Sequence, residues 1–162
     1  MAKEKVQKTN AMRLLDSAGF EYEMASYEYD ESDLSGVHAA EELGVEPDVV
    51  FKTLVTRGDG GSLFVFVIPV AESLDLKKAA KVSGNKSIEM IHVKEIMDLT
   101  GYLRGGCSPI GMKKLYPTFI DETAVLFEKI YFSAGKRGVQ IILEPDKLAE
   151  ITEAEFADIT KL

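Results

Sequence analysis

Residues that form disulfides or bind metals are scarce in this chain of 162 residues, which has one cysteine and two histidines. A single cysteine cannot form an internal disulfide, which is typical of proteins in a reducing cytosol, so we expect a cytoplasmic location. The two histidines, His38 and His92, are far apart in sequence and have no paired cysteines near them. Because the usual zinc-ligand spacing is absent, we expect no metal site.

Long apolar runs and nucleotide-binding motifs are missing as well. The longest apolar run, residues 63–70, suits a buried strand and falls far short of the roughly 18–20 residues that a membrane span requires. The N-terminus carries charge but lacks the apolar core of a signal peptide. The sequence has no G-x-G-x-x-G, no phosphate-binding P-loop and no G-x-S-x-G elbow. We therefore expect neither a membrane partner nor a cofactor.

Basic residues are outnumbered, 19 against 27 acidic ones, which gives a formal net charge of −8. A protein that grips nucleic acid unaided over a wide surface needs many Lys and Arg side chains for phosphate contacts, so this class is disfavoured. The charge is uneven, however. Residues 14–51 contain eleven acids and no base, whereas residues 76–114 contain eight bases and three acids. The basic stretch is either a set of ordinary solvated helix faces or a rim that accepts the end of a polyanion.

Two predicted hairpins set the fold class of what we interpret as one domain, residues 1–162. The first joins residues 49–56 to residues 62–70 through Asp-Gly-Gly, and the second joins residues 130–134 to 139–143 through Gly-Lys-Arg-Gly. Helices alternate with strands, but the clearest strand pairs are antiparallel. We therefore expect an α+β fold with a mixed, mostly antiparallel, barrel-like sheet of six or seven strands flanked by helices.

Capping residues predict the ends of most helices. Thr9 and Asp75 are expected to begin helices, and the glycines expected to end helices are Gly19, Gly44, Gly84 and Gly101. The pattern also predicts a strand over residues 22–29 and a short extended piece over residues 125–127. Thr152 and Glu155 have the spacing of a capping box, which predicts that they begin the last helix.

Lys52 is the unusual residue of the first hairpin, because residues 49–55 are otherwise largely apolar. A strand buried on both faces does not accept a lysine without a partner. Two explanations remain open. Lys52 either lies at a sheet edge and extends its ammonium group into solvent, or projects that group into a cleft to hold an electron-rich ligand.

Gly105 and Gly106 form a second candidate site, since consecutive glycines let the backbone approach a ligand and form a nest of N–H groups. The alternative is a tight loop that needs positive φ. Cys107 follows them, but no histidine is placed near it by the sequence. We expect a packed side chain there rather than a catalytic thiol.

The turn after Ser133 is the third candidate. Ser133 ends its predicted strand, so its hydroxyl and the backbone amides of the turn, including that of Gly135, can face the same cleft. Tyr27, on the early strand, is either a residue of the cleft rim or a ligand-binding side chain.

These residues lie in segments that resemble the YbaK family of Cys-tRNA(Pro) deacylases, within the superfamily of prolyl-tRNA synthetase-associated editing domains. The segments occur in the family's order along nearly the whole chain, and the long glycine-containing one is the most specific. They are Lys-Thr-Asn-Ala at 8–11, Val-Phe-Lys-Thr-Leu at 50–54, Lys-Lys-Ala-Ala-Lys at 77–81, Thr-Gly-Tyr-Leu-Arg-Gly-Gly-Cys-Ser-Pro-Ile-Gly at 100–111, Pro-Thr-Phe-Ile-Asp at 117–121 and Ser-Ala-Gly-Lys-Arg-Gly at 133–138.

The resemblance implies a trans-editing enzyme that removes cysteine from mischarged tRNA(Pro), with the YbaK-like fold. The family's essential lysine falls on Lys52 and its neighbour on Thr53, the glycine-loop contact on Gly106 and the strand serine on Ser133. The early-strand tyrosine falls on Tyr27, with Tyr22 and Tyr29 close by. Ser35 replaces an aromatic residue of some relatives, and Gln140 receives no role from the resemblance.

The resemblance also implies the chemistry and the partners. The thiol of the substrate's own cysteine attacks the ester carbonyl and releases a thiolactone, so the enzyme has only to position and polarise. Mischarged tRNA, through its 3′ aminoacyl-adenosine end, and prolyl-tRNA synthetase are the implied partners. Editing of another small amino acid such as alanine, and a non-catalytic module that binds aminoacyl-adenosine or a synthetase, remain as alternatives. The oligomeric state stays open between a monomer and a weak dimer.

Overall fold

The helices begin and end largely where the capping residues predict. The computed structural model describes residues 8–161, in which five α-helices occur. Thr9 accepts a hydrogen bond from the Met12 amide, and Asp75 accepts from the amides of Lys77 and Lys78. The four predicted glycines follow the last residues of α1 to α4 in left-handed conformation. The helices are α1 (Asn10–Ala18), α2 (Gly36–Leu43), α3 (Leu76–Ser83), α4 (Ile96–Thr100) and α5 (Pro145–Thr152).

The strands form a five-stranded sheet in the order β4-β2-β3-β5-β8 and a three-stranded sheet in the order β1-β7-β6. The strands are β1 (Glu23–Ser26), β2 (Phe51–Gly58), β3 (Leu63–Pro69), β4 (Ile88–Met90), β5 (Thr118–Asp121), β6 (Ile130–Ser133), β7 (Val139–Leu143) and β8 (Glu155–Ala157). Both predicted hairpins are present, as β2–β3 and β6–β7. Four strand pairs are antiparallel, while β3–β5 and β5–β8 are parallel. The prediction of an α+β fold with a mixed, mostly antiparallel arrangement is confirmed.

The predicted barrel is not confirmed, because the strands divide into two sheets and no closed sheet occurs in residues 8–161. In that part of the chain the sheets are joined by one isolated parallel bridge, between Val50 and Tyr131. β4 pairs only with residues 56–58 at the far end of β2. The first half of β2, which contains Lys52, therefore lies at the junction of the two sheets.

Two apolar clusters enclose the five-stranded sheet from its two faces. Val65 and Val67 of β3 belong to the larger cluster, which also contains Met12 of α1 and Leu148 of α5. The alternate residues of β3, including Phe66, pack with the smaller cluster beneath α3. Because side chains alternate across a strand, β3 is buried on both faces, which accounts for its continuous apolar run.

Three local predictions are wrong, and the count of six or seven strands is too low by at least one. The strand over residues 22–29 is shorter, because β1 ends at Ser26. Residues 125–127 lie largely in a 3-10 helix, Glu122–Leu126, rather than in an extended piece. Thr152 does not begin a helix: it ends α5, and its hydroxyl donates to the Leu148 carbonyl oxygen at 2.6 Å. Glu155 instead begins β8, which pairs with β5 across a long sequence separation that no local pattern reports.

In residues 8–161, no helix has the length and apolar character needed to cross a bilayer.

Candidate functional site

A cavity of about 370 Å³ opens at the junction of the two sheets. Five of the residues predicted for the site contribute to its lining, and they come from four separate segments of the chain. They are Tyr27, Lys52, Thr53, Gly105 and Ser133. The hairpins and the glycine segment, which are distant in sequence, therefore meet around one space that can hold a small ligand.

Lys52 lies on β2 opposite Ile68 and is half-buried in the cavity wall. Burial lowers the pKa of its ammonium group, while the Glu72 carboxylate partly opposes this shift. In residues 8–161, no side chain forms an ion pair with the Lys52 ammonium group, and no oxygen atom accepts a hydrogen bond from it. Of the two explanations that the sequence left open, the structure favours a cleft over an exposed edge.

Thr53 and Gln140 each contain a buried side-chain oxygen atom that has no hydrogen-bond partner in the described chain. Among the buried side-chain nitrogen and oxygen atoms of the described chain, only Thr53 Oγ1 and Gln140 Oε1 have no hydrogen-bond partner. Both residues line the cavity. Leaving a buried polar group unpaired costs about 1–3 kcal/mol, so these two residues of the cavity lining are candidates for contact with a ligand.

Tyr27, Ser133 and Gln140 form a polar wall supplied by the three-stranded sheet and the segment after β1. Ser133 and Gln140 face each other in the β6–β7 pair. Burial raises the pKa of the Tyr27 hydroxyl, and hydrogen bonds from the Gly138 backbone and the Gln140 side chain partly offset the rise. Ser133 Oγ accepts from the Gly135 amide at 3.2 Å, which leaves its hydroxyl hydrogen available to a ligand.

Gly105 and Gly106 have different roles. Gly105 has a φ of 81°, lines the cavity, and is so close to Leu34 that a Cβ there would lie 3.2 Å from the Leu34 Cβ. Gly106 does not contribute to the lining. Its amide donates to the Leu103 carbonyl oxygen at 2.9 Å, and a Cβ would lie 3.1 Å from the Arg137 backbone nitrogen.

Gly135 also stands behind the cavity rather than in its wall. Its φ is 98°, and a Cβ at this position would lie 2.6 Å from Cε1 of the Tyr102 ring. Tyr102 is buried and donates to the Ile110 carbonyl oxygen at 2.6 Å. Gly106 and Gly135 thus hold the glycine loop against the β6–β7 turn by close packing.

Cys107 lines the cavity, but its thiol is not activated. Burial raises its pKa to about 11, and a hydrogen bond with Thr100 only partly opposes this. A nucleophilic cysteine requires a thiolate, which this environment disfavours at neutral pH. In residues 8–161, no group of three or more His, Cys, Asp or Glu side chains is arranged to hold a metal ion.

The opposite side of the cavity is apolar and includes the start of α2. Ala39, Val50 and Val70 line it, together with Ser35 and Gly36. Ser35 accepts a hydrogen bond from the His38 amide and so caps α2. A Cβ on Gly36 would overlap the Val70 side chain, which explains why glycine begins this helix. The cavity therefore combines apolar lining residues with a polar wall and two basic residues, Lys52 and Arg104, which suits a small ester or amide.

Gln140 and Arg104 are lining residues to which the sequence reasoning gave no role. A signal for Gln140 was present. The predicted β6–β7 hairpin places it opposite Ser133, on the same face of the sheet. Arg104 gave no comparable signal, because its position depends on how the glycine loop packs.

The model of the aminoacyl-tRNA editing domain family matches residues 34–151, so this chain belongs to that family. The predicted YbaK resemblance and an aminoacyl-tRNA deacylase activity are thereby confirmed at the level of the family.

Three relatives show how widely the similarity extends. A protein of Enterococcus faecalis with the provisional name Cys-tRNA(Pro)/Cys-tRNA(Cys) deacylase EbsC is 50% identical over 161 residues, covering 99% of this chain and 98% of that protein. A proline–tRNA ligase of Shouchella clausii is 30% identical over 115 residues, which are 70% of this chain and 20% of the ligase. A crystal structure described provisionally as a trans-editing enzyme for prolyl-tRNA synthetase has a TM-score of 0.82 and 25% identity, covering 94% of this chain and 96% of that one.

Proposed function

We propose that this protein removes cysteine from mischarged Cys-tRNA(Pro), with the aminoacyl ester bound in the cavity beside Lys52. The observation that carries the proposal is the half-buried Lys52 ammonium group, which has no partner in the described chain and shares its cavity with two unpaired oxygen atoms. The relationship to EbsC supports cysteine as the amino acid.

The polar groups of the cavity match those of an aminoacyl ester. Lys52 and the Ser133 hydroxyl can donate to the carbonyl oxygen, on which negative charge develops when the ester is attacked. Gln140 Oε1 and Thr53 Oγ1 are acceptors, and the α-amino group of the amino acid supplies donors. The cation and the unpaired acceptors thus satisfy different ends of the same small ligand.

The nucleophile in this proposal is the cysteine thiol of the substrate. Its sulfur attacks the ester carbonyl carbon, and the bond between that carbon and the ribose oxygen breaks. The products are a four-membered thiolactone and tRNA with a free ribose hydroxyl, which receives the proton that the thiol gives up. The protein holds the thiol near the carbonyl and stabilises the developing oxyanion, consistent with the raised pKa of Cys107.

Prolyl-tRNA synthetase is the partner that we propose for delivery of the tRNA. The chain has a net charge of −8, so few phosphate contacts are available to it alone. The Shouchella clausii ligase contains a related domain within its own chain. A weak tRNA contact and a weak synthetase contact together give a tight ternary complex, because the second becomes effectively intramolecular. Such a role belongs to the cytoplasm.

The test is a deacylation assay with tRNA(Pro) charged with cysteine, alanine or serine, together with Cys-tRNA(Cys). We expect release of cysteine from Cys-tRNA(Pro) and little release of alanine or serine, since neither carries a thiol. Alanine release at a comparable rate would replace the thiol mechanism with the alternative of small-amino-acid editing. Binding of charged tRNA without any release would instead support a non-catalytic module. A titration of tRNA with and without the synthetase, at two salt concentrations, tests the ternary complex.

A further inference from the structure

We propose that Arg104, Lys136 and Arg137 form a cationic lip that binds the phosphodiester groups of the substrate's 3′ end. The RNA strand then leaves the cavity over this lip. The inference rests on the proposed function, because it concerns the path of the same tRNA substrate.

At the lip, the glycine loop and the β6–β7 turn are held together by direct contacts. Arg137 Nε donates to the Arg104 carbonyl oxygen at 2.8 Å. Directly beside this contact, Gly106 lies so near the Lys136–Arg137 backbone that a Cβ would be 3.1 to 3.4 Å from it. Arg104 and its neighbour Gly105 line the cavity. Arg104 therefore lines the cavity, and Lys136 and Arg137 lie beside it in the turn that packs against the glycine loop.

The charges of the lip are not neutralised within the described chain. Several other basic residues are ion-paired, including Arg57 with Glu95, Lys129 with Glu23 and Lys147 with Glu144. In residues 8–161, none of the ion pairs involves the three residues of the lip. In a chain with a net charge of −8, an unpaired group of three cations beside a ligand cavity favours an anionic ligand.

An acidic segment packs beside the same loop, which limits the path that an anionic strand can take. Leu34 lines the cavity and contacts Gly105, the neighbour of Arg104, and the residues just before Leu34 include Asp30, Glu31 and Asp33. All three are exposed. A phosphodiester chain that left the cavity over this segment would meet like charges, whereas over the three residues of the lip it meets cations.

The basic stretch at residues 76–114 reaches the cavity through Arg104 and not through its lysines. None of Lys77, Lys78, Lys81, Lys113 and Lys114 is among the lining residues of the cavity. Lys78 binds Asp158 and the Thr160 carbonyl oxygen, and Lys114 lines a different groove beside α1. The polyanion contact that we infer therefore combines one residue of the basic stretch with two residues of the β6–β7 turn.

The experiment compares two substrates of one variant enzyme: Cys-tRNA(Pro), and cysteinyl-adenosine, which has the same ester but no phosphate. The variant is Arg104→Gln/Lys136→Gln, in which both altered side chains are exposed and the Arg137 contact with the Arg104 backbone is kept. The matched control is Lys77→Gln/Lys81→Gln, which removes the same charge from exposed positions on α3. Circular dichroism and thermal unfolding verify that both variants fold.

We expect the ratio of kcat/KM for Cys-tRNA(Pro) to kcat/KM for cysteinyl-adenosine to fall about tenfold in the lip variant at low salt. The slope of log kcat/KM against log salt should flatten by about 1.4, or about 0.7 for each of the two single-strand phosphates that the variant no longer neutralises. The control should keep both the ratio and the slope. An unchanged ratio in the lip variant overturns the proposal, and so does an equal fall in the control.

A binding measurement separates this inference from the proposed function. An uncharged RNA microhelix with a 3′ CCA end is titrated against each variant. If the lip variant binds it about tenfold more weakly than the control does, the lip is supported even where no deacylation occurs. If all variants bind it equally, the lip proposal fails, although Cys-tRNA(Pro) deacylation can still be observed.

Discussion

Gln140 lies directly opposite Ser133 in the β6–β7 pair, and both residues line the cavity that also contains Lys52. Ser133 is stabilised by the Gly135 amide, whereas the oxygen of Gln140 has no partner. The pair thus combines a side chain that is already held by a hydrogen bond with one whose oxygen has no hydrogen-bond partner. Replacement of Gln140 can therefore separate its contribution to stability from its contribution to activity.

Gln140→Leu should raise the free energy of unfolding or leave it unchanged, and should lower activity. The substitution removes a buried oxygen whose lack of a partner costs about 1–3 kcal/mol, which balances or exceeds the net contribution of about 0.5–1.5 kcal/mol from the lost hydrogen bond to Tyr27. Without this acceptor, kcat/KM should fall about tenfold. Urea denaturation and deacylation kinetics measure the two effects. A clear loss of stability would show that Gln140 serves the fold.

Thr53→Val and Thr56→Val are a matched pair on β2 and should differ in their effect on stability. The Thr53 hydroxyl oxygen has no partner, whereas the Thr56 hydroxyl donates to the Phe64 carbonyl oxygen at 2.8 Å. We expect Thr56→Val to reduce the free energy of unfolding by about 1 kcal/mol and Thr53→Val to reduce it little or not at all. Only Thr53→Val should lower activity strongly. Thermal unfolding of the two proteins decides this, and equal destabilisation would mean that the Thr53 hydroxyl is satisfied in solution.

Lys52→Ala should reduce kcat by about 10² to 10³ while the protein stays folded, because it removes the cation that the proposed mechanism uses to stabilise the oxyanion. Lys81→Ala, at an exposed position on α3, is the control and should have no effect. The direction of the Lys52 pKa shift adds a second expectation. Since burial lowers this pKa, activity of the native enzyme should decline with rising pH before an ordinary lysine titrates. In Lys52→Arg the decline should move to higher pH, because a guanidinium group stays charged. Near-normal turnover by folded Lys52→Ala would remove Lys52 from the mechanism.

Cys107→Ala should retain much of the activity, and native Cys107 should resist alkylation at pH 8. The buried thiol, with a pKa of about 11, is almost wholly protonated there, and the thiolate is the reactive form. Iodoacetamide labelling followed by mass spectrometry measures this, with urea-unfolded protein as the fast-reacting control. A covalent adduct between Cys107 and the aminoacyl group would make the thiol the nucleophile after all.

Alkaline pH should destabilise the native protein more than Cys107→Ala. The thiol titrates near its ordinary value of 9.0 in the unfolded chain and near 11 in the folded one. Between these values the folded protein holds more protons, so the free energy of unfolding falls as pH rises, by at most about 1.4 kcal/mol per pH unit. Below pH 9 the two proteins should show parallel pH dependence. Parallel curves up to pH 11 would contradict the buried environment of the thiol.

The sequence predicts well those features that depend on neighbouring residues. Helix caps such as Thr9 and Asp75, and both hairpins, follow from contacts within a few positions. Thr152 illustrates the limit. Its spacing from Glu155 fits a capping box, yet the hydroxyl binds backward to Leu148, because the chain there leaves α5 for an edge strand. The parallel pairing of β8 with β5 decides that outcome.

The residues of the candidate site also differ in how well the sequence alone predicts their positions. Lys52 can be predicted from the sequence because a lysine is unusual in an apolar strand, and Ser133 because it ends its strand before a turn; the family resemblance supports both. Gly106 and Gly135 are predicted because glycines and turn amides can approach a ligand, but in the structure they pack against Arg137 and Tyr102 instead of lining the cavity. A glycine required by a ligand and one required by a neighbouring backbone look alike in sequence. Only the packing of the loop against the hairpin separates them.

The bridge between Val50 and Tyr131 has a consequence for how the cavity can change size. Lys52 belongs to one sheet, while Ser133 and Gln140 belong to the other. The separation between the Lys52 ammonium group and the polar wall is therefore set where the two sheets meet at this single bridge, and not by a continuous ladder of strand pairs. Substitutions in the core between the two sheets can widen or narrow the space for the aminoacyl group, even when every polar side chain of the cavity is kept. The amino-acid preference of such a domain can thus change through the way its two sheets pack against each other. A comparison of lining residues alone would not detect such a change.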